Sequence, residues 1–168
     1  MKLPAFKLER FFAKYEFTAP YLLSSSDCEA MTIEELLNLE SDAVQKFHQT
    51  WLGYTDTKGS PELRQVVAQI YQTIESEDIL IHAGAEEAIF IFMNIALQPE
   101  DHIIVHFPCY QSHSSIAQSI GCEVDWWMSR EADNWELDLD WLRGAIQPNI
   151  KAIAINCPHS PKCQRPMA

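Results

Sequence analysis

Three short stretches carry residue types that could do chemistry. In His82-Ala-Gly84-Ala-Glu-Glu87 an apolar run ends at a glycine and a helical pattern begins. The unpaired N–H groups and positive dipole end of a helix start suit a phosphate. One glycine is not a G-x-G-x-x-G fingerprint, however, and Glu86 and Glu87 could simply complement the dipole. In Phe107-Pro-Cys-Tyr110, Tyr110 could stack on a flat ligand. It could also be a boundary aromatic, its ring in the core and its hydroxyl in water. In Asn156-Cys-Pro-His-Ser160-Pro161, Asn156 could bind a ligand or bridge backbone groups of a turn. Cys157-x-His159-x3-Cys163 matches no paired zinc spacing and lacks a fourth partner, so no metal is expected.

These stretches need elements to hold them, and the pattern supplies strands. Ile79–His82, Ile103–Phe107, Cys122–Met128 and Lys151–Ile155 read as strands. Between them lie predicted helices over 86–97, 111–120 and 139–146. Strands alternating with helices of about ten residues imply βαβ units and a mainly parallel sheet. In such sheets ligands bind beyond the C-terminal strand ends, where all three stretches fall. Upstream, residues 4–14 suggest an amphipathic helix whose Phe6, Phe11 and Phe12 need a partner surface. Thr32-x-x-Glu35 is a capping box opening a helix through Leu39. Ser60-Pro61 opens another, with Leu63, Val66, Val67, Ile70, Tyr71 and Ile74 at helical spacing.

Composition narrows the class. The chain of 168 residues is 47% hydrophobic and 11% aromatic, which is globular composition. A net charge of −12 argues against a grip on nucleic acid. No apolar run approaches the roughly 20 residues of a membrane span. Lys2, Lys7, Glu9 and Arg10 leave no apolar signal region, so a cytoplasmic location without membrane attachment is expected. Five widely spaced cysteines, an odd number, give no reason to expect disulfides. Residues 1–150 hold nine basic and 24 acidic residues, a charge of −15, whereas 151–168 hold three basic residues and no acid.

In order along the chain stand Tyr54-x4-Gly59-x3-Leu63-Arg64, Gly84-Ala-Glu-Glu-Ala88, Leu97-Gln-Pro-Glu-Asp101, Pro108-Cys-Tyr110 and Asn156-x-Pro158-x-Ser160-Pro161. This series resembles the N-terminal part of class I/II aminotransferases, the fold-type I pyridoxal-phosphate enzymes, over residues 4–161. The resemblance implies that Gly84, Ala85 and Glu86 place backbone N–H groups on the cofactor phosphate and that Tyr110 stacks on the pyridine ring. It implies that Tyr54 reaches the phosphate of a neighbouring subunit in a homodimer. Asn156 and Ser160 fall in the family's cofactor-binding loops, and Ser25 and Ser26 near the substrate, an amino acid.

The sequence departs from the family where Asn-Pro-Thr-Gly is expected and Ser160-Pro-Lys-Cys163 stands. The pyridine-pairing aspartate, the Schiff-base lysine and the arginine for the substrate carboxylate would come later in the family. None of the seven lysines occupies a matching context, so no catalytic residue is assigned and the chain is expected to be inactive alone. The expected fold is α/β, a partial three-layer αβα sandwich with a mainly parallel sheet, preceded by N-terminal helices. Its expected divisions are an N-terminal helical arm over 1–50, a partial pyridoxal-phosphate domain over 51–160, and an aberrant tail over 161–168, as a frameshift or early stop would leave. By resemblance, the second, third and fourth strands adjoin in the order 3-2-4, and the first is isolated from them. Two other readings stay open. One is a non-catalytic interaction module associating with a full-length relative through residues 1–60; the other is a small dinucleotide-binding domain.

Overall fold

The computed structural model describes residues 2–25 and 28–159, so Ser26, Ser160 and the 161–168 tail lie outside the described residues. The elements are α1 (Lys7–Tyr15), α2 (Ile33–Leu37), α3 (Ala43–His48), α4 (Pro61–Ala68), α5 (Ala85–Ala96), β1 (His102–Phe107), α6 (Ser112–Ile120), β2 (Glu123–Met128), α7 (Leu139–Ala145) and β3 (Ile150–Ala154). They fall into two compact units, one of residues 28–83 and one joining the N-terminal segment to everything from Gly84 on.

In the 28–83 unit, local hydrogen bonds set the helix starts. Thr32 and Glu35 form a reciprocal capping box at α2, and the Ser60 hydroxyl accepts the Leu63 N–H at α4. Helix α3 has no counterpart among the expected elements, because Val44 and Phe47 are too few to set a period. Helix α4 stops at Ala68 although its apolar pattern continues to Ile74. The reason is Arg64, buried at 5% exposure. Its guanidinium donates to the Gly59 and Ser76 carbonyls at 3.2 and 3.0 Å and meets Glu77 at 3.4 Å. The chain must turn back after Ala68 to bring residue 76 within reach, and Val66, Ile70 and Tyr71 are left exposed.

The expected strand over Ile79–His82 is corrected: this segment joins no sheet among the described residues. Its Ile81 N–H donates instead to the Lys58 carbonyl at 2.9 Å. The Ile81 side chain occupies the space a Cβ on Gly59 would need, and Gly59 adopts φ +100°. A strand needs a ladder of backbone pairs, and among the described residues no sheet includes this stretch.

The other three strands form one parallel sheet in the order β2-β1-β3. That is the order expected for the second, third and fourth strands, with the first set apart. Side chains alternate across β1. Ile103 and Val105, both fully buried, face Met93 and Leu97 of α5 and its C-cap, Ile116 and Ala117 of α6, and Cys122. Ile104, also fully buried, and His106 take the opposite face. There the Trp127 ring lies beside His106, and its indole N–H donates to the Asp138 carbonyl at the start of α7. Both faces of β1 are thus covered, which makes it the centre of the molecule's core. Burying each of the isoleucine, valine, leucine and methionine side chains contributes about 1.5–3 kcal/mol.

Candidate functional site

The site begins where α5 begins. Gly84 sits at φ +118° and ψ 163°, a conformation reserved for glycine, and a Cβ there would meet nothing within 4 Å. This glycine turns the chain into α5 and leaves open space above the first helical turn. Ala85 and Glu86 open that turn, where N–H groups have no preceding carbonyl to bond. The helix dipole adds positive character at the same place. A helix start of this kind would suit an anion.

Glu86 reaches away from its own helix. Ser112, at the first position of α6 and 2% exposed, lies with its hydroxyl 2.7 Å from both Glu86 carboxylate oxygens. Residues 26 positions apart are tied, and the start of α5 is fixed against the start of α6. Tyr110 precedes α6 by two residues and is half-buried. Burial, and then the nearby Glu86 and Glu9 carboxylates, push its hydroxyl above the ordinary range for tyrosine. His113 stands edge-on to the Tyr110 ring at 6.3 Å. Burial lowers its pKa, and Glu86 partly opposes that. Burial also raises the Cys109 thiol, which packs on the core.

Asn156 is half-buried just past the end of β3. β3 runs parallel to β1, so Asn156 leaves the sheet at the same end as Tyr110. A residue given no site role from sequence joins these two loops. His159, 4% exposed, places Nε2 at 2.7 Å from the Pro108 carbonyl. A carbonyl only accepts, so this nitrogen carries the proton. Its Nδ1 is buried and has no partner among the described residues. The signal in the sequence is a histidine between two loop prolines, Pro158 and Pro161. No group of three metal-ligating side chains occurs among the described residues.

Ser25 is exposed in the segment after α1, and Leu23 beside it is 94% exposed. Tyr54 belongs to the 28–83 unit and is 98% exposed. Ser26 and Ser160 fall outside the described residues. A hollow of about 460 Å³ lies along the β2–α7 connection, but Asp133, Glu136 and Asp138 line it and none of the expected site residues does.

A family model described as aminotransferase class I and II matches residues 20–165. The chain belongs to that family. It is 30% identical over 129 residues to an aspartate aminotransferase of Pyrococcus horikoshii, covering 74% of this chain and 33% of that protein. Over 161 residues it is 27% identical to capreomycidine synthase of Streptomyces vinaceus, covering 95% of this chain and 41% of that one. Among solved structures, a PLP-dependent aminotransferase from Streptococcus suis superposes with a TM-score of 0.87 at 34% identity, over 96% of this chain and 44% of that chain. The chain thus spans between a third and under half of these relatives' lengths. The β2-β1-β3 sheet and its helices have the architecture of part of the fold-type I aminotransferase fold. Among the described residues, no helix is long and apolar enough to cross a membrane.

The residues present fit a phosphorylated pyridine cofactor. The open space over Gly84 would admit a phosphate onto the start of α5, and Tyr110 offers a half-buried aromatic ring one element away.

Proposed function

We propose that this chain forms the phosphate- and ring-binding part of a pyridoxal-phosphate-dependent aminotransferase that acts on an amino acid. The observation that carries the reading is the Ser112–Glu86 tie at 2.7 Å, which holds the glycine-led start of α5 against the helix following Tyr110. In this reading the backbone of Gly84, Ala85 and Glu86 binds the phosphate and Tyr110 orients the ring. Asn156 and Ser160 supply polar groups from the loop after β3, and Ser25 and Ser26 border the substrate. Pyridoxal phosphate, when bound, supplies the electron sink for amino-group transfer.

The chain alone does not turn over substrate, because amino-group transfer on this cofactor needs a lysine partner at the ring. None of the seven lysines stands in a sequence context that matches the family's Schiff-base lysine. The test is equilibrium dialysis of the chain against pyridoxal phosphate. Saturable binding that Gly84→Val weakens is expected; absence of saturable binding by the unaltered chain refutes the reading. Borohydride treatment of the mixture should leave no single lysine labelled in full, and one fully labelled lysine would overturn the claim of inactivity.

A second reading is favoured by one observation. Trp51, Leu52 and Tyr54 are 72%, 94% and 98% exposed in one short irregular stretch of the 28–83 unit. In this reading the chain is a non-catalytic interaction module whose residues 1–60 associate with a full-length relative. Sedimentation showing a strictly monomeric chain, together with failure to co-purify with such a relative, would count against it.

A further inference from the structure

Gln111 stands between the site and the N-terminal segment, and the proposed function gives it no part. Its carboxamide faces the backbone on either side of Phe6. Oε1 accepts the Lys7 N–H at 2.9 Å, and Nε2 donates to the Ala5 carbonyl at 3.1 Å. One side chain thus imitates a peptide unit of a neighbouring strand, across 104 and 106 residues of sequence. Phe6, between the two bonds, packs on Tyr110 with ring centroids 5.0 Å apart and planes at 51°.

Two further facts make the contact more than a surface accident. Helix α1 has no side-chain cap of its own at Phe6, so Gln111 satisfies the first N–H of that helix from a distant element. Gln111 also immediately follows Tyr110 and is the N-cap of α6, so its backbone is set by the start of that helix. The carboxamide therefore couples the position of residues 5–7 to the residue next to Tyr110.

We infer that Gln111 is a positioning residue: its carboxamide fastens residues 5–7 onto the Tyr110 loop, so that Phe6 sets the orientation of the Tyr110 ring for stacking on the cofactor. The role of the latch in cofactor binding rests on the reading given under Proposed function; the latch itself does not.

The experiment has two arms on the full chain, comparing Gln111→Ala and Gln111→Glu with the unaltered protein. In the first, amide hydrogen exchange is followed at Lys7. A hydrogen bond worth about 1 kcal/mol corresponds to exchange roughly fivefold faster when it is lost. Gln111→Ala should show that acceleration. Gln111→Glu keeps an acceptor and should recover much of the protection. Unchanged exchange in Gln111→Ala overturns the latch. In the second arm, pyridoxal phosphate and inorganic phosphate are each titrated against intrinsic fluorescence. Gln111→Ala should weaken pyridoxal phosphate severalfold and leave inorganic phosphate unaltered, since only the ring contact is disturbed. Equal weakening of both, or of neither, overturns the positioning role. If the unaltered chain binds no pyridoxal phosphate, the functional reading falls and the positioning role with it, while the exchange arm still decides the latch.

Discussion

Gly84→Ala, set against Gly144→Ala, separates backbone strain from crowding at the start of α5. At both positions an added Cβ would meet nothing within 4 Å, so neither substitution creates a clash. Their backbones differ. Gly84 adopts φ +118° and ψ 163°, whereas Gly144 lies within helix α7. An L-residue held in the first conformation costs about 1–3 kcal/mol. A helical glycine replaced by alanine gains about 0.5–1 kcal/mol. Urea denaturation of the two variants should therefore give changes of opposite sign, separated by about 1.5–4 kcal/mol. For a chain of this size the loss at Gly84 corresponds to a fall in Tm of about 2–12 °C. Equal effects of the two substitutions, or a Gly84→Ala protein as stable as the unaltered one, would refute the argument that positive φ shapes the start of α5.

Other expectations follow from buried groups. Arg64→Met should destabilise the 28–83 unit by about 2–4 kcal/mol in thermal denaturation, because the Gly59 and Ser76 carbonyls lose a charged donor. Its contact with the exposed Glu77 adds little to that figure. Arg64→Lys should not restore the loss, since one ammonium cannot span both carbonyls. Ile103→Ala should cost about 2–5 kcal/mol by the cavity it leaves beneath α5 and α6. His113 has a folded-state pKa below its ordinary 6.5, so the unfolded chain binds the proton more readily. Its contribution to stability is complete above about pH 6.5 and is lost as pH falls below that value toward the folded pKa. His113→Gln should flatten that part of the stability–pH curve measured by chemical denaturation.

Much of the second half was legible because its signals are local and repeated. β1, β2 and β3 lie within one residue of their expected limits, since short runs rich in β-branched or aromatic residues and bounded by turn residues favour strands. The order β2-β1-β3 followed from the family resemblance rather than from the pattern. The first half was less legible. Helix α4 ends early because a single arginine must reach a carbonyl twelve residues on, which no apolar period records. Ile79–His82 has strand composition and no strand to pair with, and composition cannot reveal the missing partner.

At the site the same division holds. The sequence by itself determined a glycine before a helix, an aromatic after a strand and proline, and a polar loop after the last strand. These are features of backbone conformation and residue type, and short segments encode them. Tertiary structure alone decided that Glu86 turns to Ser112, that His159 joins the β3 loop to Pro108, and that Gln111 pins residues 5–7 beside Tyr110. Each of those bonds links residues 26 to 106 positions apart. A polar side chain's partner at such a distance depends on which loops the parallel sheet delivers to one end, and only the folded chain fixes that.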